Sequence, residues 1–212
     1  MIPPPEPGTI YIVDDDASFL KSISRFLRAS GYPVQTFESA ENFIQQLAPE
    51  MSGCVLSDMQ MPGLNGLELQ AALAKSANPL PVVFISAQLD LPKTVRAMRS
   101  GAEDFITKHS SKEELLDAIR RALERGAQER KDRERLKKIR ERFERLSERE
   151  LEVLEQVVRG GMNKQISAHL GIAMRTVKLH RTNLTRKLQV QSAPELTRLA
   201  EEAGLFKRDK SP

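Results

Sequence analysis

Tryptophan is absent from this chain, cysteine occurs once and histidine three times. The lone Cys54 cannot form an internal disulfide, and its apolar neighbourhood marks it as a small buried hydrophobe. Three scattered histidines and one cysteine supply no credible zinc set. No stretch approaches the roughly 20 apolar residues of a membrane span. The opening Met1-Ile2-Pro3-Pro4-Pro5 lacks a basic region followed by an apolar core, so no secretion signal is expected there. No internal repeat is visible. These absences, with a mean hydropathy of -0.42, lead to the expectation of a soluble, cytoplasmic protein of one large or two modest domains in 212 residues.

Acidic residues are scarce in one region only. Residues 1–120 hold 10 Lys+Arg against 15 Asp+Glu, a net of -5, whereas residues 121–212 hold 23 against 14, a net of +9. Between Gln156 and Pro194 there is no acid at all, yet Arg159, Lys164, Arg175, Lys178, Arg181, Arg186 and Lys187 fall there. A solvated helical surface usually mixes signs, so this run points to a polyanionic partner for the second half.

The first half alternates strand and helix signals. Apolar, β-branched runs at Thr9–Val13, Pro33–Phe37, Gly53–Ser57, Pro81–Ile85 and Asp104–Thr107 suit strands buried on both faces. Helical spacing such as Phe19, Ile23, Phe26 and Leu27 separates them. The pattern predicts an α/β doubly wound domain with a five-stranded parallel sheet over residues 9–125. A highly charged helix from about Lys112 to Arg145 follows, with one apolar stripe at Leu116, Ile119 and Leu123 and another at Leu136, Ile139, Phe143 and Leu146. The stripes are out of heptad register, which predicts a helical linker over 126–145 with two local packing faces. Residues 146–206 read as an all-α domain with helices near Ser147–Arg159, Lys164–Leu170, Met174–Leu188 and Ala193–Ala203. Ser147 with Glu150 forms a capping-box signature, and Gly171 sits at a tight turn. The tails, 1–8 and 207–212, are expected to be disordered.

Chemistry-bearing residues fall at the strand ends. Asp14 and Asp15 follow the first strand, Asp58 the third, Ser86 the fourth and Lys108 the fifth. In a parallel sheet these ends line up along one edge, where ligands bind. Clustered carboxylates repel unless a cation intervenes, and hard oxygen ligands select Mg²⁺. Asp58 then reads as a nucleophile that forms an aspartyl phosphate, with Lys108 and Ser86 holding the other phosphoryl oxygens. Asp16 reads as a helix cap.

These motifs resemble the receiver domain of bacterial response regulators. The resemblance implies Asp58 as phosphoacceptor, Asp14, Asp15 and Asp58 as metal carboxylates, the Gln60 backbone carbonyl as a further ligand, and Phe105 as a switch aromatic. It also implies a sensor histidine kinase as partner and a homodimer formed on phosphorylation through the fourth helix and fifth strand. One departure stands out: the family follows its lysine with a cis proline, whereas His109 follows Lys108. A trans bond and a shifted loop are expected in its place. His109 itself reads as solvent-facing.

In the second half, Asn163 to Ile172 followed by Arg175 to Arg181 has helix-turn-helix spacing, with Ile166, Leu170, Ile172 and Val177 placed to hold the two helices together. Together with Leu146-Ser147-Glu148-Arg149-Glu150 and Lys187-Leu188, this part resembles the LuxR-type domain of NarL/FixJ regulators, and the domain order resembles the FixJ-like subfamily. The resemblance implies double-stranded DNA as ligand. Lys178, Leu179 and Thr182 should face bases. Asn163, Lys164, Arg175, Thr176, His180, Arg181 and Lys187 should serve phosphate contact or helix positioning. The function expected is a phosphorylation-regulated transcription factor rather than an enzyme, with RNA polymerase as a further candidate partner. The alternative is a phosphorylation-independent DNA-binding regulator with a vestigial receiver. A Mg²⁺-dependent aspartyl hydrolase would want an acid two residues after its nucleophile, where Gln60 stands.

Overall fold

The computed structural model describes residues 8–88 and 90–205, so the tails expected to be disordered lie outside the described residues, save for Gly8. Five strands, β1 (Thr9–Val13), β2 (Val34–Phe37), β3 (Gly53–Asp58), β4 (Val82–Ser86) and β5 (Asp104–Thr107), form one parallel sheet in the order β2-β1-β3-β4-β5. β2 and β4 each start one residue later than the apolar pattern predicts. Pro33 and Pro81 have no N–H for the ladder, although their carbonyls still accept from Ile10 (2.9 Å) and Val55 (2.8 Å). β3 and β4 also run one residue further, ending on Asp58 and Ser86 themselves.

Helices α1 (Ala17–Ala29), α2 (Ala40–Gln45), α3 (Gly66–Lys75), α4 (Leu91–Arg99) and α5 (Lys112–Phe143) cover the sheet on both sides. Successive strand residues point to opposite faces, and β1 shows it. Ile10 and Ile12 join Leu20, Leu27 and Ile119 of α1 and α5, whereas Tyr11 and Val13 join Phe43, Leu69 and Ala97 of α2, α3 and α4. Cys54 is fully buried in the first of these clusters.

The chain divides into two compact units, Met1–Arg130 and Lys131–Pro212, and α5 runs through the division. Its first stripe serves the first unit, centred on Leu115, Ala118, Ile119 and Ala122, with Leu116 and Leu123 at the rim. Its second stripe serves the other unit through Ile139 and Phe143, followed by Leu146, while Leu136 is only half buried. Two separate cores on one helix account for the break in heptad register. Gly126, beyond the predicted receiver boundary, still belongs to the first packing: a Cβ there would lie 2.8 Å from the Gly53 carbonyl oxygen.

In the second unit α6 (Glu148–Val158), α7 (Asn163–Leu170), α8 (Met174–Leu188) and α9 (Ala193–Glu202) surround a core that includes Val153, Leu154, Ile166, Val177, Leu184 and Leu188. Ser147 and Glu150 make both halves of the capping box at the start of α6. Gly171 ends α7 at φ 64°, the left-handed conformation that lets the chain reverse into α8.

Candidate functional site

The parallel register brings the strand ends level. Val13 pairs with Ser57, Asp58 with Ile85, and Ser86 with Thr107. Asp14, Asp58, Ser86 and Lys108 therefore fall along one edge of the sheet. Ligand oxygens of Asp14, Asp15 and Asp58 lie within 4.8 Å of one another. Asp14 is 0% and Asp58 8% exposed, while Asp15 is open to solvent. Lys108 Nζ stands 2.6 Å from Asp14 Oδ2 and 3.6 Å from Asp58 Oδ2. One Asp58 oxygen accepts the Met59 N–H at 2.8 Å, and Asp14 Oδ1 accepts the Asp16 N–H at 2.9 Å.

Lys108 is delivered by the backbone as well as by charge, since its N–H donates to the Ser86 carbonyl at 2.7 Å. The described residues contain no cis peptide bond, in line with His109 in place of proline. Ser110 closes the turn in its stead. Its N–H donates to the Thr107 carbonyl (3.0 Å), and its hydroxyl accepts the Thr107 N–H (3.3 Å) and pairs with the Thr107 hydroxyl (3.1 Å). Nothing in the sequence motif pointed to Ser110. Glu41 is a second residue the motifs did not signal; it accepts the Leu64 N–H at 2.7 Å and so braces the loop after Asp58. Ser86 is buried at its strand end, Gln60 is exposed, Phe105 is half buried against the cluster of Tyr11 and Phe84, and His109 is exposed.

Burial pushes the Asp58 carboxyl above its ordinary value; Lys108 opposes that shift, and the neighbouring charge of Asp14 adds to it. One cation for two buried carboxylates leaves the site short of positive charge. Asp14 Oδ2, wholly buried, meets the ammonium as an ion pair yet makes no well-formed hydrogen bond. An all-oxygen donor set with excess negative charge fits a hard divalent ion such as Mg²⁺. Among the described residues no other His, Cys, Asp or Glu cluster of this kind is present.

In the second unit the buried side of α8 carries Val177, Leu184 and Leu188. Arg175, Lys178, Leu179, Thr182 and Arg186 are exposed at the spacing of a single helix face. Leu179 is 58% exposed, unusual for an aliphatic side chain between cations. Ile166 and Val177 are buried between α7 and α8, with Leu170 and Ile172 half buried beside them. Arg181 Nη1 donates to Asn163 Oδ1 at 3.0 Å, tying α8 to the first residue of α7. Lys187 turns inward, to Glu150 Oε2 at 2.6 Å and the Arg145 carbonyl at 3.1 Å. His180 is half buried with Nδ1 shielded and unpaired among the described residues, Thr176 is half buried, and Lys164 and His169 are exposed. The N-cap positions of α7 and α8 are Met162 and Ala173, which supply no side-chain oxygen. No side-chain oxygen of the cap residue competes there with an anion, although the Thr176 N–H already donates to the Ala173 carbonyl at 2.9 Å.

Comparison with known proteins adds two family matches. The response regulator receiver domain matches residues 10–120, and the bacterial regulatory proteins of the luxR family match residues 144–200. The response regulator protein TodT of Pseudomonas putida is 41% identical over 92% of this chain and 86% of its own length. The transcriptional regulatory protein FixJ of Bradyrhizobium diazoefficiens is 35% identical over 94% of this chain and 97% of its own. Among solved structures, the response regulator StyR is 44% identical, with a TM-score of 0.80 over 92% of this chain and 99% of that one.

Proposed function

The chain belongs to the response regulators that join a receiver domain to a LuxR-type helix-turn-helix domain, FixJ among them, and from that premise we propose that Asp58 is its phosphoacceptor and the exposed face of α8 its reader of DNA. It is a phosphorylation-regulated, DNA-binding transcription regulator. The observation that carries the site assignment is the meeting of Asp14, Asp15, Asp58 and Lys108 at the sheet edge.

A sensor histidine kinase supplies the phosphoryl group. An Asp58 oxygen bonds to phosphorus as the phosphorus–nitrogen bond to the kinase imidazole breaks, and the imidazole keeps the electron pair. Asp14, Asp15, Asp58 and the Gln60 carbonyl would hold Mg²⁺, which neutralises charge on the transferring group. Lys108 pairs with a phosphoryl oxygen, and the Ser86 hydroxyl donates to another. Phe105 senses the movement of Ser86 and alters the face formed by α4 and β5. On α4, Leu91, Val95 and Met98 are 65%, 47% and 43% exposed at the spacing of one helix face, which supports a homodimer formed there on phosphorylation. Lys178, Leu179 and Thr182 read bases, while Asn163, Lys164, Arg175 and Thr176 engage phosphates. Arg181 and Lys187 position the helices through Asn163 and Glu150. The protein works in the cytoplasm, and no helix among the described residues is long and apolar enough to cross a membrane.

The test is light-scattering mass and intact-mass spectrometry with acetyl phosphate and Mg²⁺, beside Asp58→Asn. The expected result is one added phosphoryl group and a shift from monomer to dimer in the wild type, and neither in the variant. Labelling that persists in Asp58→Asn would sink the assignment. A wild type that labels with neither acetyl phosphate nor a kinase would establish a vestigial receiver.

A further inference from the structure

Lys108 has a third partner that neither the motifs nor the charge pattern revealed. Its ammonium lies 4.3 Å from the centroid of the Phe19 ring, in the first turn of α1. A cation over an aromatic face is attracted by the ring quadrupole, and more strongly where water is excluded. Here the lysine side chain is only 16% exposed. A second such pair among the described residues, Lys112 over Phe26, is longer at 5.3 Å and involves an exposed lysine. Phe19 is not simply a core residue, for it is half buried at the rim of the cluster formed with Leu115 and Ile119 and turns a face to the charge.

Its place is fixed from the acidic loop itself. Asp14 Oδ1 accepts the Asp16 N–H at 2.9 Å. Asp16 Oδ1, as the cap of α1, accepts the N–H groups of Ser18 (2.9 Å) and Phe19 (3.1 Å). The Phe19 ring then meets Lys108, and Lys108 returns to Asp14 Oδ2 at 2.6 Å. The circuit starts and ends on one buried carboxylate.

We propose that Phe19 is a positioning residue for phosphoryl transfer, holding the Lys108 ammonium beside Asp58. The inference rests on Asp58 being the phosphoacceptor. Any cation drawn to the three carboxylates weakens the hold of Asp14 on Lys108, whereas the pull of the ring is unaffected. With the ring in place the ammonium stays near Asp58 Oδ2, now 3.6 Å away, where a phosphoryl oxygen arrives. Without it the flexible stem swings towards solvent and the transfer slows.

The experiment uses full-length protein with phenylalanine at position 19 replaced by its mono-, di- and trifluorinated forms, which drain the ring face while keeping its shape. Labelling by acetyl phosphate is timed: an Asp58 oxygen bonds to phosphorus, the phosphorus–oxygen bond to acetate breaks, and acetate leaves with the electron pair. The expected result is a stepwise fall in rate constant, about threefold in all, the scale of one cation–aromatic contact, at an unchanged melting temperature. Phe19→Leu should lose about as much. A rate constant flat across the fluorine series, or one that merely follows the melting temperature, overturns the proposal. If unsubstituted protein fails to label on Asp58, the phosphoacceptor reading itself falls and takes this inference with it, before any fluorine is introduced.

Discussion

Among the described residues three buried carboxylates meet a lysine, and the outcomes differ. Asp58 shares Lys108 with Asp14 and stays poorly compensated, its carboxyl held above the ordinary range chiefly by burial. Glu150 has Lys187 to itself at 2.6 Å and accepts the Ser147 N–H at 2.8 Å. Burial raises its carboxyl, but the Lys187 and Ser147 contacts together outweigh that and hold it below the ordinary value. The stabilisation from Glu150 is thus full above about pH 4.3, the unfolded carboxyl's value, and is lost as the pH falls through the lower folded value. Glu150→Gln should cost the second unit about 2 kcal/mol at neutral pH, the scale of a hydrogen-bonded charge. Melting curves of variant and wild type should converge in acid; parallel curves would deny Glu150 that role. Glu150 was legible in the sequence as a cap, but its ion pair was not, because residues 150 and 187 meet only when α6 and α8 pack. Phe19 escaped for the same reason: a ring carries no signature until the lysine turn is laid over α1, whereas the Ser110 hydroxyl bonds locally to Thr107 and carries no distinctive pattern in a polar turn.

Two helices of the second unit start differently from those that carry a side-chain cap. α1, α2, α3, α4, α6 and α9 begin on Asp16, Ser39, Asn65, Asp90, Ser147 and Ser192, each accepting a backbone N–H. α7 and α8 begin on Met162 and Ala173. At Met162 the side chain of Gln165 reaches back as in a capping box, accepting the Met162 N–H at 2.8 Å. These two helices form the helix-turn-helix, so the ends that lack an oxygen cap lie where DNA phosphates would supply acceptors. Ala173 has the extended backbone of a cap, φ -64° and ψ 146°. Ala173→Ser should therefore stabilise the second unit by about 1 kcal/mol, read as a higher urea midpoint at unchanged slope. An unmoved midpoint would mean the N–H groups at the start of α8 are already satisfied in the free protein.

At the scale of the whole chain, the acidic first part and the basic second part coincide with two units that each hold a core. The piece Lys131–Pro212 keeps Ile139 and Phe143 of α5 with the core they complete. It should fold alone with one cooperative transition and bind DNA regardless of acetyl phosphate. Its affinity should fall with salt at a log–log slope of about -4 to -5, as for a module neutralising about five phosphates. Fluorescence anisotropy on random duplex DNA across a salt series measures this. A slope near zero would remove phosphate contact as the source of its affinity.

The sequence by itself determined the five strands, the parallel α/β class, the helix-turn-helix and the acidic set with its lysine. Those features rest on local periodicity, on turn chemistry at residues such as Gly171, and on charges that need a neighbour of opposite sign. Only the tertiary structure decided how the site is held. The ring of Phe19 under Lys108, the brace from Glu41 and the inward turn of Lys187 all join residues far apart along the chain. None has a repeat or a charge pattern along the chain, because each depends on where one packed element meets another.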